Sequence, residues 1–171
     1  RDCLLSRGLG DVYKRQVIGL GYPGGPKMDK LAQDGTPNID LPKVHIEGLD
    51  FSFSGLKTAI INLHHKTPDI NKADLAASFE KDVAEILLDN TKKAVKETNI
   101  NKIALAGGVS ANSYIRKAFK ELEENEDIKV YYPELKLCTD NAAMIASAGY
   151  YNFLKGNFSD LKLNAVPNLK L

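Results

Sequence analysis

Residues 103–112 read Ile103-Ala104-Leu105-Ala106-Gly107-Gly108-Val109-Ser110-Ala111-Asn112. Four apolar residues without a polar interruption predict a short buried strand, and the glycine pair then lets the backbone turn. Ser110 is placed to cap a helix whose apolar positions Ile115, Ala118, Phe119 and Leu122 recur at helical spacing. A strand, a glycine turn and a helix start together present backbone N–H groups toward an anionic or nucleotide ligand. Spacing alone leaves that reading level with a plainer one, a βα turn with a serine cap. The stretch is neither G-x-G-x-x-G nor a Walker A sequence, which excludes a Rossmann or P-loop reading.

Downstream, Ile128 to Tyr132 predicts a second strand ended by Pro133, and a helix follows from Thr139 through Met144, Ile145, Ala148 and Tyr151 to Gly156. The order strand 103–106, helix 111–124, strand 128–132, helix 139–154 is a βαβα unit of an α/β fold. Its crossover makes the two strands parallel. If they are neighbours, the Gly107-Gly108 turn and the Cys138-Thr139-Asp140-Asn141 turn open on one sheet edge, where ligands of open α/β sheets bind. Asp140 at a helix start suits a metal or phosphate site, although a lone carboxylate there is more commonly a favourable charge on the helix N-terminus. Asn141 shares that ambiguity. Ala142, Ala143, Ala146, Ala148 and Gly149 predict that this helix packs closely against a neighbour.

Upstream, Lys72 to Thr98 lacks internal Gly or Pro and carries Leu75, Phe79, Val83, Ile86, Leu87 and Ala94 as a helical stripe. Val44-His45-Ile46 and Leu49-Asp50-Phe51-Ser52-Phe53 alternate around Glu47-Gly48 and predict a hairpin. Ser54 is then expected to cap a helix with Leu56, Ile60 and Leu63 on one face, closed by Pro68. Val17 to Pro26 is a glycine-rich loop, and Pro26 opens a short helix through Met28 and Leu31 that closes near Gly35. The tail to Leu171 is expected to finish as a strand or extended segment. Residues 1–16 show no clean period. There is no internal repeat, low-complexity tract or linker.

The 171 residues suffice for one domain with its own core, and a formal net charge of +1 argues neither for nor against nucleic acid. Lys92, Lys93 and Lys96 form a weak basic patch that reads more simply as a solvated helix face. Cys3 and Cys138 show no metal-ligand or redox spacing, so free thiols in a reducing compartment are expected. No apolar run reaches membrane-span length and Arg1 to Gln16 lacks a signal-peptide centre, which places the expectation in the cytoplasm. Ser52 and Ser54 are not in a G-x-S-x-G elbow. Adjacent His64 and His65 diverge by about 100° on a helix, and His45 is isolated, so all three read as ordinary polar groups.

Four stretches resemble, in order, the C-terminal half of the tRNA adenosine threonylcarbamoyltransferase family, formerly called glycoprotease-like. They are Gly19 to Pro26, Gly48 to Thr58, Ala106 to Asn112, and Cys138 to Ala146. The resemblance implies an actin/Hsp70/sugar-kinase-like (ribonuclease H-like) fold of two α/β domains around a nucleotide cleft, present here as an incomplete C-terminal α/β domain over residues 17–171. It implies transfer of a threonylcarbamoyl group from its adenylate, made with ATP, to the N6 amine of an adenosine beside the tRNA anticodon. Carried over by motif position, Gly25, Gly107, Gly108 and Asn112 would contact the nucleotide-like substrate. Asp140 would be one ligand of a divalent metal, iron or zinc. No catalytic residue is assigned. A small ATPase and a related inactive paralogue are the partners implied in bacteria.

The departures are as informative. The family's other metal ligands come from a His-x-x-x-His pair in the N-terminal domain, and this chain contains no such pair. Where the family carries a substrate-binding Asp, this chain has Val12, with Asp11 one residue out of register. Residues 1–16 are therefore expected to be foreign to the family. One competing reading is a non-catalytic assembly partner with the same fold. The intact Asp140 and Asn112 count against it. Another is a different actin-like nucleotide enzyme, against which Phe51 to Thr58 counts. The isolated chain is expected neither to modify tRNA nor to hold metal tightly, since one carboxylate is not a metal site, and to expose apolar surface.

Overall fold

The computed structural model describes residues 24–42 and 48–164. The leading segment 1–16 with Cys3, the loop from Val17 to Pro23, the first hairpin strand with His45, and the last residues of the tail lie outside the described residues. The chain divides into two compact units, Arg1–Cys138 and Thr139–Leu171.

In the first unit, helix α1 (Gly24–Gln33) is followed by α2 (Ser54–Lys66) and the long α3 (Lys72–Thr98). Then come β1 (Lys102–Ala104), a short 3-10 turn Gly108–Ala111, α4 (Ser113–Asn125) and β2 (Lys129–Tyr131). The two strands pair in parallel with Lys102 opposite Lys129 and Ala104 opposite Tyr131, as the βαβ order predicts. The sheet is only two strands wide among the described residues. For that reason β1 is half-buried at Ile103 and exposed at Lys102 and Ala104, rather than the fully buried strand its apolar run suggests.

α3 spans the residues its periodicity assigns. Asn71 caps its start, accepting from the Ala73 N–H at 2.9 Å, and Asn99 ends it in the left-handed region at φ 57°. The buried set is wider than a single stripe, however. Its N-terminal half buries Leu75, Ala76 and Ala77 but also Ser78, Glu80 and Asp82. That half touches two cores. One gathers Met28, Leu41, Leu56, Ile60, Leu75 and Ala76, and the other gathers Ala84, Ile115, Phe119, Leu122, Ile128 and Val130. Close packing accounts for Gly35: a Cβ there would stand 2.1 Å from the Ala73 carbonyl oxygen, so only glycine lets the chain pass the start of α3. Beside it, the Thr36 N–H donates to Asp74 Oδ1 at 2.8 Å and the Ile39 N–H donates to Ser78 Oγ at 3.0 Å.

Two local expectations are corrected. Leu49 to Phe53 is not a strand. The side chains of α3 take up its carbonyls instead: Lys93 Nζ donates to Gly48 O at 2.9 Å, and Asn90 Nδ2 donates to Asp50 O at 2.8 Å and Leu49 O at 3.3 Å. These bonds hold the start of the segment against α3. Lys92 pairs with Glu126 at 2.7 Å, so two of the three patch lysines tie elements together. Ser54 does not cap α2. It is the first helical residue, preceded by Phe53 with no side-chain cap, and its carbonyl accepts from the Thr58 hydroxyl at 3.0 Å.

The second unit holds α5 (Ala142–Leu154), which ends where the βαβα reading puts it and begins three residues later. Asn141 caps it, with Oδ1 accepting from the Met144 N–H at 3.0 Å. Among the described residues no residue of α5 is buried. From Asn157 to Asn164 there is no strand. Asp160 organises a turn there, accepting from the Lys162 N–H at 2.9 Å.

Candidate nucleotide site

Gly107 follows β1 with φ 85° and ψ 170°, a backbone region closed to most L-residues. The chain then makes the 3-10 turn and enters α4. Ser110 is not the cap. It lies inside the 3-10 turn, is buried, and its hydroxyl donates back to the Gly107 carbonyl at 2.6 Å. The cap is Asn112, extended at φ −63° and ψ 131°, whose Oδ1 accepts from the Ile115 N–H at 2.9 Å. On its other side the Asn112 Nδ2 donates to Oε1 of buried Glu80 on α3 at 2.7 Å.

Helix α1 comes to the same place. The Ser113 N–H donates to Asp29 Oδ2 at 3.2 Å, the Ser113 hydroxyl donates to Asp29 Oδ1 at 2.5 Å, and Gln33 Nε2 donates to Ser113 Oγ at 3.3 Å. Gly25 stands one helical turn, about 5.4 Å of axial rise, ahead of Asp29. Asp29 and Gln33 of α1 thus reach the start of α4, beside the turn that carries Gly107, Gly108 and Asn112, and Gly25 lies in the first turn of α1.

Arg116 joins the two strand ends. Its Nε donates to the Ser110 carbonyl at 2.5 Å, and its Nη2 donates to the Pro133 carbonyl at 2.7 Å and reaches Cys138 Sγ at 3.2 Å. The guanidinium also lies 5.7 Å from the centre of the Tyr132 ring. The turn after β1 and the segment after β2, as far as Cys138, thus share one edge, as the parallel topology requires. Cys138 is buried against this clamp, an ordinary structural thiol. Asp140 belongs to the second unit, where it is exposed.

The wall behind Asn112 is acidic. Burial raises the Tyr114 hydroxyl above its usual range, and the charges of Glu85, Glu121, Glu80 and Asp82 push it further the same way. Tyr132 is also raised, first by burial. Among the described residues, no three His, Cys, Asp or Glu side chains are gathered to hold a metal ion. His64 and His65 end α2 without joining such a group.

Sequence reasoning missed Asp29, Glu80 and Arg116. Glu80 is one of three carboxylates between Leu75 and Ile86, with Asp82 and Glu85, and nothing in the sequence singles it out. Asp29 and Arg116 sit on helix faces that look solvated in sequence.

These features define an α/β domain with a glycine turn and a helix N-terminus at the C-terminal edge of parallel strands. Comparison with known proteins identifies it further. The sequence profile of tRNA N6-adenosine threonylcarbamoyltransferase matches residues 12–147, and the chain belongs to that family. The match starts at residue 12, so the last part of segment 1–16 falls inside it. The chain is 51% identical over 172 residues to the tRNA N6-adenosine threonylcarbamoyltransferase of Clostridium kluyveri, covering 95% of this chain and 50% of the relative. For the enzyme of the same name from Thermosipho africanus the identity is 52%, covering 91% of this chain and 49% of the relative. The chain therefore spans about half the length of the curated relatives it matches. Among solved structures, a crystal structure of HypF from T. kodakarensis superposes with a TM-score of 0.58 at 21% identity, over 80% of this chain and 18% of that one, a likeness of fold. No helix among the described residues is long and apolar enough to cross a membrane.

Proposed function

We propose that this chain supplies the C-terminal half of a tRNA N6-adenosine threonylcarbamoyltransferase, one wall of a nucleotide cleft in an actin-like fold. The observation that carries the reading is the identity of about half over nearly the whole chain to enzymes of that name. The Gly107–Asn112 turn adds physical support, since the exposed Gly107 and Gly108 offer backbone with no side chain in the way of a nucleotide. In the proposed reaction the N6 amine of an adenosine beside the anticodon attacks the carbamoyl carbon of threonylcarbamoyl-adenylate. The new C–N bond forms, the C–O bond to phosphate breaks, AMP leaves and the amine loses a proton. Gly25, Gly107, Gly108 and Asn112 would hold the adenylate for that attack, with tRNA as the second substrate. A small ATPase and an inactive paralogue are the proposed partners, in the cytoplasm.

The described residues do not make a metal site. Asp140 offers one oxygen donor, and no further ligands are gathered among the described residues. Iron or zinc would need ligands beyond these.

The test is complementation. This chain is combined with the N-terminal half of the C. kluyveri relative, and tRNA nucleosides are measured by mass spectrometry. The expected result is threonylcarbamoyladenosine from the pair and none from the chain alone, with loss on Asn112→Ala or Asp140→Ala. Modification by the chain alone would overturn the half-site reading. A folded pair that binds tRNA without modifying it would favour the assembly-partner reading.

A further inference from the structure

We infer that Glu80 is a positioning residue, turning the Asn112 amide so that its second Nδ2–H meets a hydrogen-bond acceptor of the nucleotide, a ribose oxygen or a purine ring nitrogen. This rests on the proposed nucleotide reading and adds the atom that does the recognising. The side chain's orientation is set twice over. Oδ1 must face the Ile115 N–H, a donor at a helix start, at 2.9 Å, and Nδ2 must face the Glu80 carboxylate, an acceptor, at 2.7 Å. Exchanging oxygen and nitrogen would put donor against donor and acceptor against acceptor. An amide has two Nδ2 protons, and Glu80 takes one. The other has no partner among the described residues, on a side chain that is only half-buried at the mouth of the glycine turn. Asn112 thus presents a donor outward while its oxygen is held by the cap.

Glu80 suits this task because it is 5% exposed and sits on α3, the longest helix of the chain, whose neighbouring residues Leu75 to Ala77 are buried in the core. A charged acceptor also makes a stronger bond than a neutral one, so the amide is held in one rotamer. A side chain held that way loses little freedom when a ligand arrives.

The experiment uses the full chain, 15N-labelled, with AMP as the probe. In the free protein, one Asn112 Nδ2 proton should be displaced downfield and exchange slowly, and it should keep that signature in Glu80→Gln. Glu80→Met, which fills similar space with no oxygen acceptor, should lose it. AMP should then shift the other Nδ2 proton together with the Gly107 and Gly108 amides. Loss of a bond of about 1 kcal/mol predicts roughly fivefold weaker AMP binding in Glu80→Met, with Glu80→Gln near wild type. If AMP moves the glycine amides but neither Asn112 proton, or if Glu80→Met binds AMP unchanged, the role of Glu80 is overturned and the nucleotide site stands. If AMP moves nothing in the turn, the nucleotide reading fails and this inference with it. Absence of the displaced proton in the wild-type chain would overturn the inference without any variant.

Discussion

Helices α4 and α5 each follow a β-strand, each run for 13 residues, and each begin with an asparagine whose Oδ1 accepts from the N–H three residues on. Beyond that start they diverge. α4 is amphipathic, burying Ile115, Phe119 and Leu122 while Lys117, Lys120 and Glu121 face water. α5 carries no charged residue, and Met144, Ile145, Tyr150, Tyr151, Phe153 and Leu154 are all exposed. A helix apolar all round belongs inside protein. The pair teaches that capping fixes where a helix starts, while burial depends on what the rest of the fold supplies.

The sharpest way to break this comparison is to truncate one aromatic from each helix. Phe119 is 2% exposed and Phe153 is 61% exposed. Phe119→Ala should destabilise by about 3–5 kcal/mol through lost transfer energy and the cavity left behind. Phe153→Ala should stay within about 0.5 kcal/mol, as exposed sites do. Urea unfolding of both variants reads the difference, and equal losses would mean that α5 is buried in solution.

Next come the two caps. Asn141→Ala should cost about 1 kcal/mol, the ordinary worth of a cap. Asn112→Ala loses a cap too and also strips a hydrogen bond from the buried Glu80 carboxylate, adding roughly 1–3 kcal/mol. Equal effects would show that the Asn112–Glu80 bond contributes nothing to stability. A smaller effect is expected on α5 itself. Ile145→Lys should leave unfolding within about 0.5 kcal/mol, yet lower the fluorescence of a dye that binds exposed apolar surface. Unchanged dye binding would place the sticky surface elsewhere.

Much of this contrast is legible in sequence, and what is not has a physical cause. The ends of α3, the spacing of Ile115, Phe119 and Leu122, and the parallel strands follow from periodicity and chain order, which are local properties. The glycine turn is legible for the same reason, whereas the capping role of Asn112 is not, since the sequence reading puts the cap at Ser110. Ser110 misleads as a cap because serine before a helix is only a propensity. The 3-10 turn moves the true boundary two residues on, to Asn112. Leu49 to Phe53 misleads because alternation says nothing about Asn90 and Lys93, which bind its carbonyls from some 40 residues away. Asp29 to Ser113, Glu80 to Asn112 and Arg116 to Cys138 are likewise tertiary pairings. No period encodes them. The alanines of α5 predict a packing face, and no described residue packs over it closely enough to bury it.

The smallest effect concerns how α4 is tied to its strand. Glu123 Oε1 accepts from Lys129 Nζ at 2.6 Å and from the Val130 N–H at 3.4 Å. The hydrogen bond from Lys129 holds the Glu123 carboxyl below its ordinary value of 4.5, and the same bond raises Lys129 above 10.5. Between the folded and unfolded values of Glu123 the unfolded chain binds more protons, so stability rises with pH there. The tie is therefore present above the ordinary carboxylate value and lost as pH falls through the depressed folded one. At the alkaline end the raised Lys129 contributes below its unfolded value and loses its contribution as pH rises through the folded one. The difference in Tm between wild type and Glu123→Gln should accordingly be near zero in strong acid, open toward neutral pH and close again above the lysine range. Salt should shrink it, because both groups meet solvent. α5 has no charged residue with which to make such a tie. A Tm difference that persists unchanged into strong acid would mean that Glu123 holds α4 to β2 by packing alone.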